Sequence, residues 1–201
     1  MSGLRFLAVL LAVMSFALWG AAAEPVYRQD FEAGAAGFPA VFCGVDNGSY
    51  LVEIQSGSYS LDFPIPGMAL ADFRLEVTVT LECSQGEVGF GLYFRDSAEG
   101  GYEVELSEEG DVYLWRYGED GYELLLDYPS LLWVRVPGEN RLVLVCQGSS
   151  LSLSVNGHKV LGYAGLGLGE GGLGLWATNY NDGGALRLRF DDLEIWSLGP
   201  A

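Results

Sequence analysis

The 201-residue chain contains one histidine and three cysteines. No His/Cys cluster has zinc spacing, so any metal site would need hard oxygen ligands. Histidine-dependent catalysis would rest on His158 alone, which directly follows an Asn-Gly turn and has no orienting partner in view. Basic residues are also scarce: 10 Lys+Arg stand against 27 Asp+Glu, a formal net charge of −17. A surface of that sign repels phosphate backbones and anionic lipid heads, so the composition argues against nucleic-acid and membrane-surface roles. Beyond residue 23 there is no sustained helical period, no Pro/Ser-rich linker and no run of about 20 apolar residues that would span a bilayer. Half of the residues are hydrophobic and 18% are charged, enough for a core and unlike a disordered chain.

The long apolar run that does occur is at the start. Met1 to Arg5 forms a short basic n-region, Phe6 to Trp19 an apolar stretch, and Ala21-Ala22-Ala23 a small-residue cleavage site. Residues 1–23 are therefore expected to be a signal peptide, with an uncleaved anchor as the alternative, and residues 24–201 a single exported domain. The expected location is secreted or periplasmic, with no membrane insertion after leader removal. Without Arg5 the charge becomes −18, from 9 basic and 27 acidic residues. Export makes Cys43, Cys83 and Cys146 readable as disulfide partners. Cys83–Cys146 is the favoured pair, because each ends a strand-like run; the alternative is three small buried thiols.

Elsewhere the dominant period is two. Phe73, Leu75, Val77, Val79, Leu81 and Cys83 alternate with Arg74, Glu76, Thr78, Thr80 and Glu82, as in a strand with one buried and one wet face. Similar runs fall at Leu51–Ile54, Ser58–Phe63, Val88–Arg95, Tyr102–Ser107, Val112–Tyr117, Tyr122–Asp127, Arg141–Gln147, Leu151–Asn156, Gly172–Thr178 and Leu186–Trp196. Turn dipeptides separate them, and Asn156-Gly157 predicts a two-residue hairpin, since both positions need positive φ. About a dozen strands this closely spaced predict an all-β sandwich or barrel. The Gly-rich tract Gly162–Gly174 precedes no helical pattern and reads as a bend, not a phosphate cradle.

The order of motifs resembles the concanavalin A-like lectin/glucanase superfamily, with laminin-G-like exported bacterial modules as the nearest likeness. The residues carrying it are Tyr27–Phe31, Asp72–Val77, Gly89–Arg95, Tyr102–Ser107, Asn140–Leu142, Leu151–Gly157, Gly172–Trp176 and Phe190–Trp196. The resemblance implies a jelly-roll β-sandwich of two curved antiparallel sheets. In that superfamily the concave sheet often holds a glycan, though many members do not use it so.

Alternation then nominates a site. With Phe90, Leu92 and Phe94 inward, Tyr93 and Arg95 point outward; Val104 and Leu106 inward send Glu103 and Glu105 outward. Leu114 inward sends Tyr113, Trp115 and Tyr117 outward, and Leu173 with Leu175 sends Trp176 outward. Ring faces stack on sugar C–H surfaces while carboxylates and Arg hydrogen-bond hydroxyls, so Tyr93, Arg95, Glu103, Glu105, Tyr113, Trp115 and Trp176 form the expected ligand-binding set. Two readings compete with this. In Val112–Tyr117 both phases are largely apolar and Arg116 shares the phase of Leu114, so the aromatics could be core. Arg95 and Glu105 could also be a cross-strand ion pair that only supports the sheet.

Hydrolysis would depend on Glu103 and Glu105, whose backbones lie about 6.8 Å apart along a strand, within the range of glycosidase carboxylates. The glucanases that the resemblance evokes carry a third acid, and here Ser107 holds that phase. The sequence thus favours a non-catalytic binding module, most plausibly for carbohydrate, over a protein-interaction or structural domain whose partner is another exported protein, and over a glycoside hydrolase. Calcium, which superfamily relatives often hold, would draw on Asp30, Asp191, Asp192, Asn179, Asn181 and Asp182; no cofactor is otherwise expected. Asn47-Gly48-Ser49 is a glycosylation sequon.

Overall fold

The computed structural model describes residues 24–40, 42–55, 57, 59–129, 132–180 and 183–199. The expected leader and two members of the expected calcium loop, Asn181 and Asp182, lie outside the described residues. Among the described residues there are fourteen strands and no helix. One sheet runs in space as β12 (His158–Ala164), β11 (Ser150–Val155), β10 (Gly138–Gln147), β5 (Phe73–Gln85), β14 (Ala185–Ser197), β3 (Ser49–Ile54) and β2 (Cys43–Asp46), with β1 (Tyr27–Gln29) paired to β14. The other runs β4 (Tyr59–Leu70), β13 (Gly171–Asn179), β6 (Val88–Ser97), β7 (Gly100–Ser107), β8 (Val112–Gly118) and β9 (Gly121–Tyr128). Every pairing is antiparallel. This is the expected all-β sandwich.

The core lies between the sheets because alternation sends one side chain in two to the same interior. Leu75, Val77 and Val79 of β5 and Leu142 and Leu144 of β10 join one cluster with Phe90, Leu92 and Phe94 of β6 and Leu173 and Leu175 of β13, all sealed from solvent. The Asn156-Gly157 hairpin forms as predicted, with φ of 52° and 81° and Val155 opposite His158. β4 runs well past the expected Phe63 end, through Pro64, Pro66 and Gly67. Its place explains this: β4 is an edge strand bonded to β13 alone, where a residue without an N–H is tolerated.

Two expectations are corrected by register. Cys146 sits opposite Phe73, at the other end of β5 from Cys83. Ten residues of strand put about 33 Å between those positions, far beyond the reach of a disulfide. None of the three cysteines is in a disulfide: Cys146 is buried, Cys43 half-buried and Cys83 exposed, so they are not three buried thiols either. Cys43 accepts a hydrogen bond from Tyr50 at 2.9 Å and donates to the Pro39 carbonyl at 3.0 Å.

Arg95 was expected on the outward face and is instead 2% exposed. A bulge interrupts the β6–β7 ladder between Phe94 and Ser97, with Arg95 at φ 53°, so the alternation that holds up to Phe94 fails there. Its guanidinium donates to the carbonyls of Ala71, Gly148 and Leu168 at 2.7–3.0 Å and lies 3.5 Å from the Asp72 carboxylate. It ties three connections at one end of the sandwich and forms no pair with Glu105.

Candidate functional site

The outer face of the six-stranded sheet can be read as rows across the strands. One row runs Asp62 (β4), Trp176 (β13), Gly91 (β6), Glu105 (β7) and Tyr113 (β8); the next runs Pro64, Gly174, Tyr93, Glu103 and Trp115. Each row contains one glycine, Gly91 in the first and Gly174 in the second, and a large neighbour lies down over the gap it leaves. A Cβ at Gly174 would come 2.1 Å from the Tyr93 ring, and one at Gly89 would come 2.3 Å from Glu105 Oε1. Trp176 reaches past Gly91 to donate its Nε1–H to the Val104 carbonyl on β7, at 3.4 Å. This explains why β6 is buried on both faces.

Above this paving lies a groove of about 770 Å³. Five of the seven expected binding residues line it: Glu103, Glu105, Tyr113, Trp115 and Trp176. Trp176 was expected to point outward into solvent, but it is 3% exposed and forms floor, not platform. Tyr93 shares the face but is 7% exposed, flattened over Gly174 and outside the groove lining; Arg95 is displaced as described. The phase ambiguity in β8 resolves cleanly. Val112 and Leu114 are buried, Tyr113, Trp115 and Tyr117 are half-buried on the outer face, and Arg116 escapes the core as an exposed residue near the strand end.

Sequence reasoning missed Tyr59, Tyr122 and Tyr180, which complete the groove walls. Tyr122 and Tyr180 are 66% and 51% exposed, the most open rings in the site. The signal for Tyr122 was available, because it faces Tyr117 across the β8–β9 hairpin and their rings stand 5.7 Å apart. Tyr180 had no such signal: it follows β13, and its backbone N–H is held by the Glu87 carbonyl at 3.0 Å.

The two glutamates are not equivalent. Glu105 is 4% exposed, and both its oxygens are occupied: Trp115 Nε1–H donates to Oε2 at 2.7 Å and the Tyr180 hydroxyl to Oε1 at 3.0 Å. It braces two aromatic walls from the floor. Burial raises its pKa, and the two donors oppose that rise. Glu103 receives one long bond, from the Tyr122 hydroxyl at 3.4 Å. Desolvation, then the charges of Asp62, Glu105 and Asp96, push it up to about 7. Asp62 is raised as well, by burial and by Asp96. Ser107, at the phase where a third acid would stand, is buried and caps a turn, accepting from the N–H groups of Glu109 and Asp111 at 3.2 and 3.1 Å.

Basic side chains are placed elsewhere. On the eight-stranded sheet Arg74 and Arg141 both pair with Glu76, Arg187 and Arg189 with Glu82, and Arg28 with Glu194. No Lys, Arg or His lines the groove among the described residues. As to calcium, Asp191 is raised by burial and by the neighbouring charges of Asp192, Glu32 and Asp30, so these acids lie close together. Among the described residues, however, no group of three His, Cys, Asp or Glu side chains is arranged to hold a metal. Asn179 is buried and donates to the Gly57 carbonyl at 3.0 Å. His158 stacks on Trp133, ring centres 3.6 Å apart, away from the groove.

No protein-family model and no curated protein matches the chain. Solved structures do. A protein of unknown function with a galectin-like fold from Bacillus subtilis superposes with a TM-score of 0.67 at 12% identity, covering 89% of this chain and 98% of that one. The laminarinase catalytic domain from Thermotoga maritima gives 0.66 at 12% identity, with 88% and 98% covered. The carbohydrate-binding module CBM66 from Bacillus subtilis gives 0.57 at 16% identity, with 74% and 86% covered. The chain has the concanavalin A-like jelly-roll fold. At these identities the likeness is one of fold, and the neighbours include both a binding module and enzymes.

Proposed function

We propose that this protein is an exported carbohydrate-binding module that takes its ligand in the groove of the six-stranded sheet. One observation carries the reading: Tyr113, Trp115, Tyr122 and Tyr180 stand around a cavity of about 770 Å³ whose floor presents two glutamates. Rings offer flat apolar contact to sugar C–H faces and carboxylates accept from hydroxyls, the combination that orients a saccharide. Glu105 supports the reading as a brace, since its hydrogen bonds hold Trp115 and Tyr180 in place before any ligand arrives and so lower the cost of ordering them.

A glycan array followed by affinity electrophoresis tests this. Binding to at least one polysaccharide class is expected, weakened ten- to hundred-fold in Trp115→Ala with the fold retained. Uniform silence, or binding indifferent to Trp115→Ala, overturns it.

Glycoside hydrolysis is the second reading, favoured by Glu103, which titrates near 7 as a general acid would. Against it stand the turn-capping role of Ser107 and the full engagement of both Glu105 oxygens. Reducing-sugar release from any bound polysaccharide, abolished in Glu103→Gln, would establish it in place of the binding reading.

A further inference from the structure

We propose that the groove selects cationic saccharides, chains of amino sugars with free or alkylated amines, over their neutral and anionic counterparts. This rests on the carbohydrate reading above and narrows it to a substrate class.

The first ground is where the chain puts its cations. Five arginines on the eight-stranded sheet are paired with acids, and Arg95 is consumed inside the sandwich. The groove has received none: Glu87, Glu108, Glu109 and Asp111 line it together with Glu103 and Glu105, with no basic side chain among the described lining residues. An anionic glycan entering here would meet like charge on every side.

The second ground is the rings. Trp115 and Tyr122 lie beside Glu103, as its partner in the β7–β8 ladder and its hydroxyl donor, and neither is sealed in the core. An aromatic face next to a carboxylate in a partly dry cavity is the environment that attracts an ammonium group, through the ring quadrupole and a charge-assisted hydrogen bond together.

The third ground is the imbalance on Glu103 itself. Asp62, Asp96 and Glu105 all act on it with the same sign, and its one hydrogen bond among the described residues is long. A neutral sugar covering Glu103 would strip water from a carboxylate already short of partners, whereas a cation supplies what the site lacks.

The experiment uses three glucosamine oligomers of one length, N-acetylated, free amine and N,N,N-trimethylated, titrated calorimetrically at pH 7 in 50 and 500 mM NaCl. The two cationic oligomers should bind at least tenfold tighter than the acetylated one at low salt, with the advantage shrinking at high salt. Glu103→Gln should reduce that preference, and Trp115→Ala should weaken all three oligomers while leaving oligo-lysine, a probe of general surface charge, unaffected. Equal or tighter binding of the acetylated oligomer overturns the cationic preference and leaves the carbohydrate reading intact. Cationic binding that ignores both substitutions is surface attraction and also overturns it. Failure of every oligomer here and of every glycan on the array overturns both.

Discussion

Glu103 offers a test that needs no ligand. Its carboxyl is raised from an ordinary value of 4.5 to about 7, first by burial and then by the charges of Asp62, Glu105 and Asp96. In the unfolded chain the same group titrates near its ordinary value. Between those two values the folded state holds a proton that the unfolded state has released, so stability is highest on the acid side and is lost as pH rises toward 7. The loss is complete above 7, where both states are ionised and the folded one carries an ill-solvated charge. The difference between 4.5 and 7 corresponds to about 3 kcal/mol. Glu103→Gln keeps the shape and removes the charge, so its stability should lack this decline. Urea denaturation at pH 4.5 and pH 8 reads the contrast. With a slope of about 2 kcal/mol/M, the wild-type midpoint should fall by about 1.5 M more than the variant's. Asp62 and Glu105 are raised too and act in the same direction, but they are present in both proteins and largely cancel in the comparison. Midpoints of wild type and variant that move in parallel between the two pH values would refute the claim that Glu103 is held charged at a cost.

Two further predictions address the corrected residues. Arg95→Met should destabilise the fold by about 3–5 kcal/mol, because it strands the carbonyls of Ala71, Gly148 and Leu168 and leaves Asp72 without its cation. Thermal or urea unfolding indistinguishable from wild type would return Arg95 to the surface. None of the three cysteines should be in a disulfide: alkylation under denaturing, non-reducing conditions should add three labels by intact mass, and in the native protein Cys83 should react first and Cys146 last. Burial also raises the Cys146 thiol, which keeps it in the unreactive protonated form. A mass showing one label would instead reveal a disulfide.

What the sequence disclosed and what it withheld divide along a physical line. Alternation within a strand is local, so the inward set Leu92, Val104 and Leu106 and the outward pair Glu103 and Glu105 were legible from period two alone, whereas in β8, where both phases are largely apolar, period two left Tyr113 and Trp115 open between core and surface. So was the Asn156-Gly157 hairpin, whose φ values belong to its own two residues. Every failure involves a partner elsewhere in the chain. The course of β4 through two prolines depends on its being an edge, the Cys83–Cys146 separation depends on the β5–β10 register, and Arg95 turns inward at a bulge that one strand makes against its neighbour. Trp176 and Tyr93 are the most instructive. Each has the outward phase that alternation assigned, yet each is buried, because the face it points to is paved. Whether an outward ring becomes a platform or a floor is decided by the residue beside it on the next strand: glycine lets the ring lie down, as Gly91 does for Trp176 and Gly174 for Tyr93, while Trp115, flanked by Glu103 and Leu124, has no such gap and is only half-buried. A single chain read along its length carries the phase of each ring but not its cross-strand neighbour, so the groove could be placed on the right sheet before its exposed walls could be told from its floor.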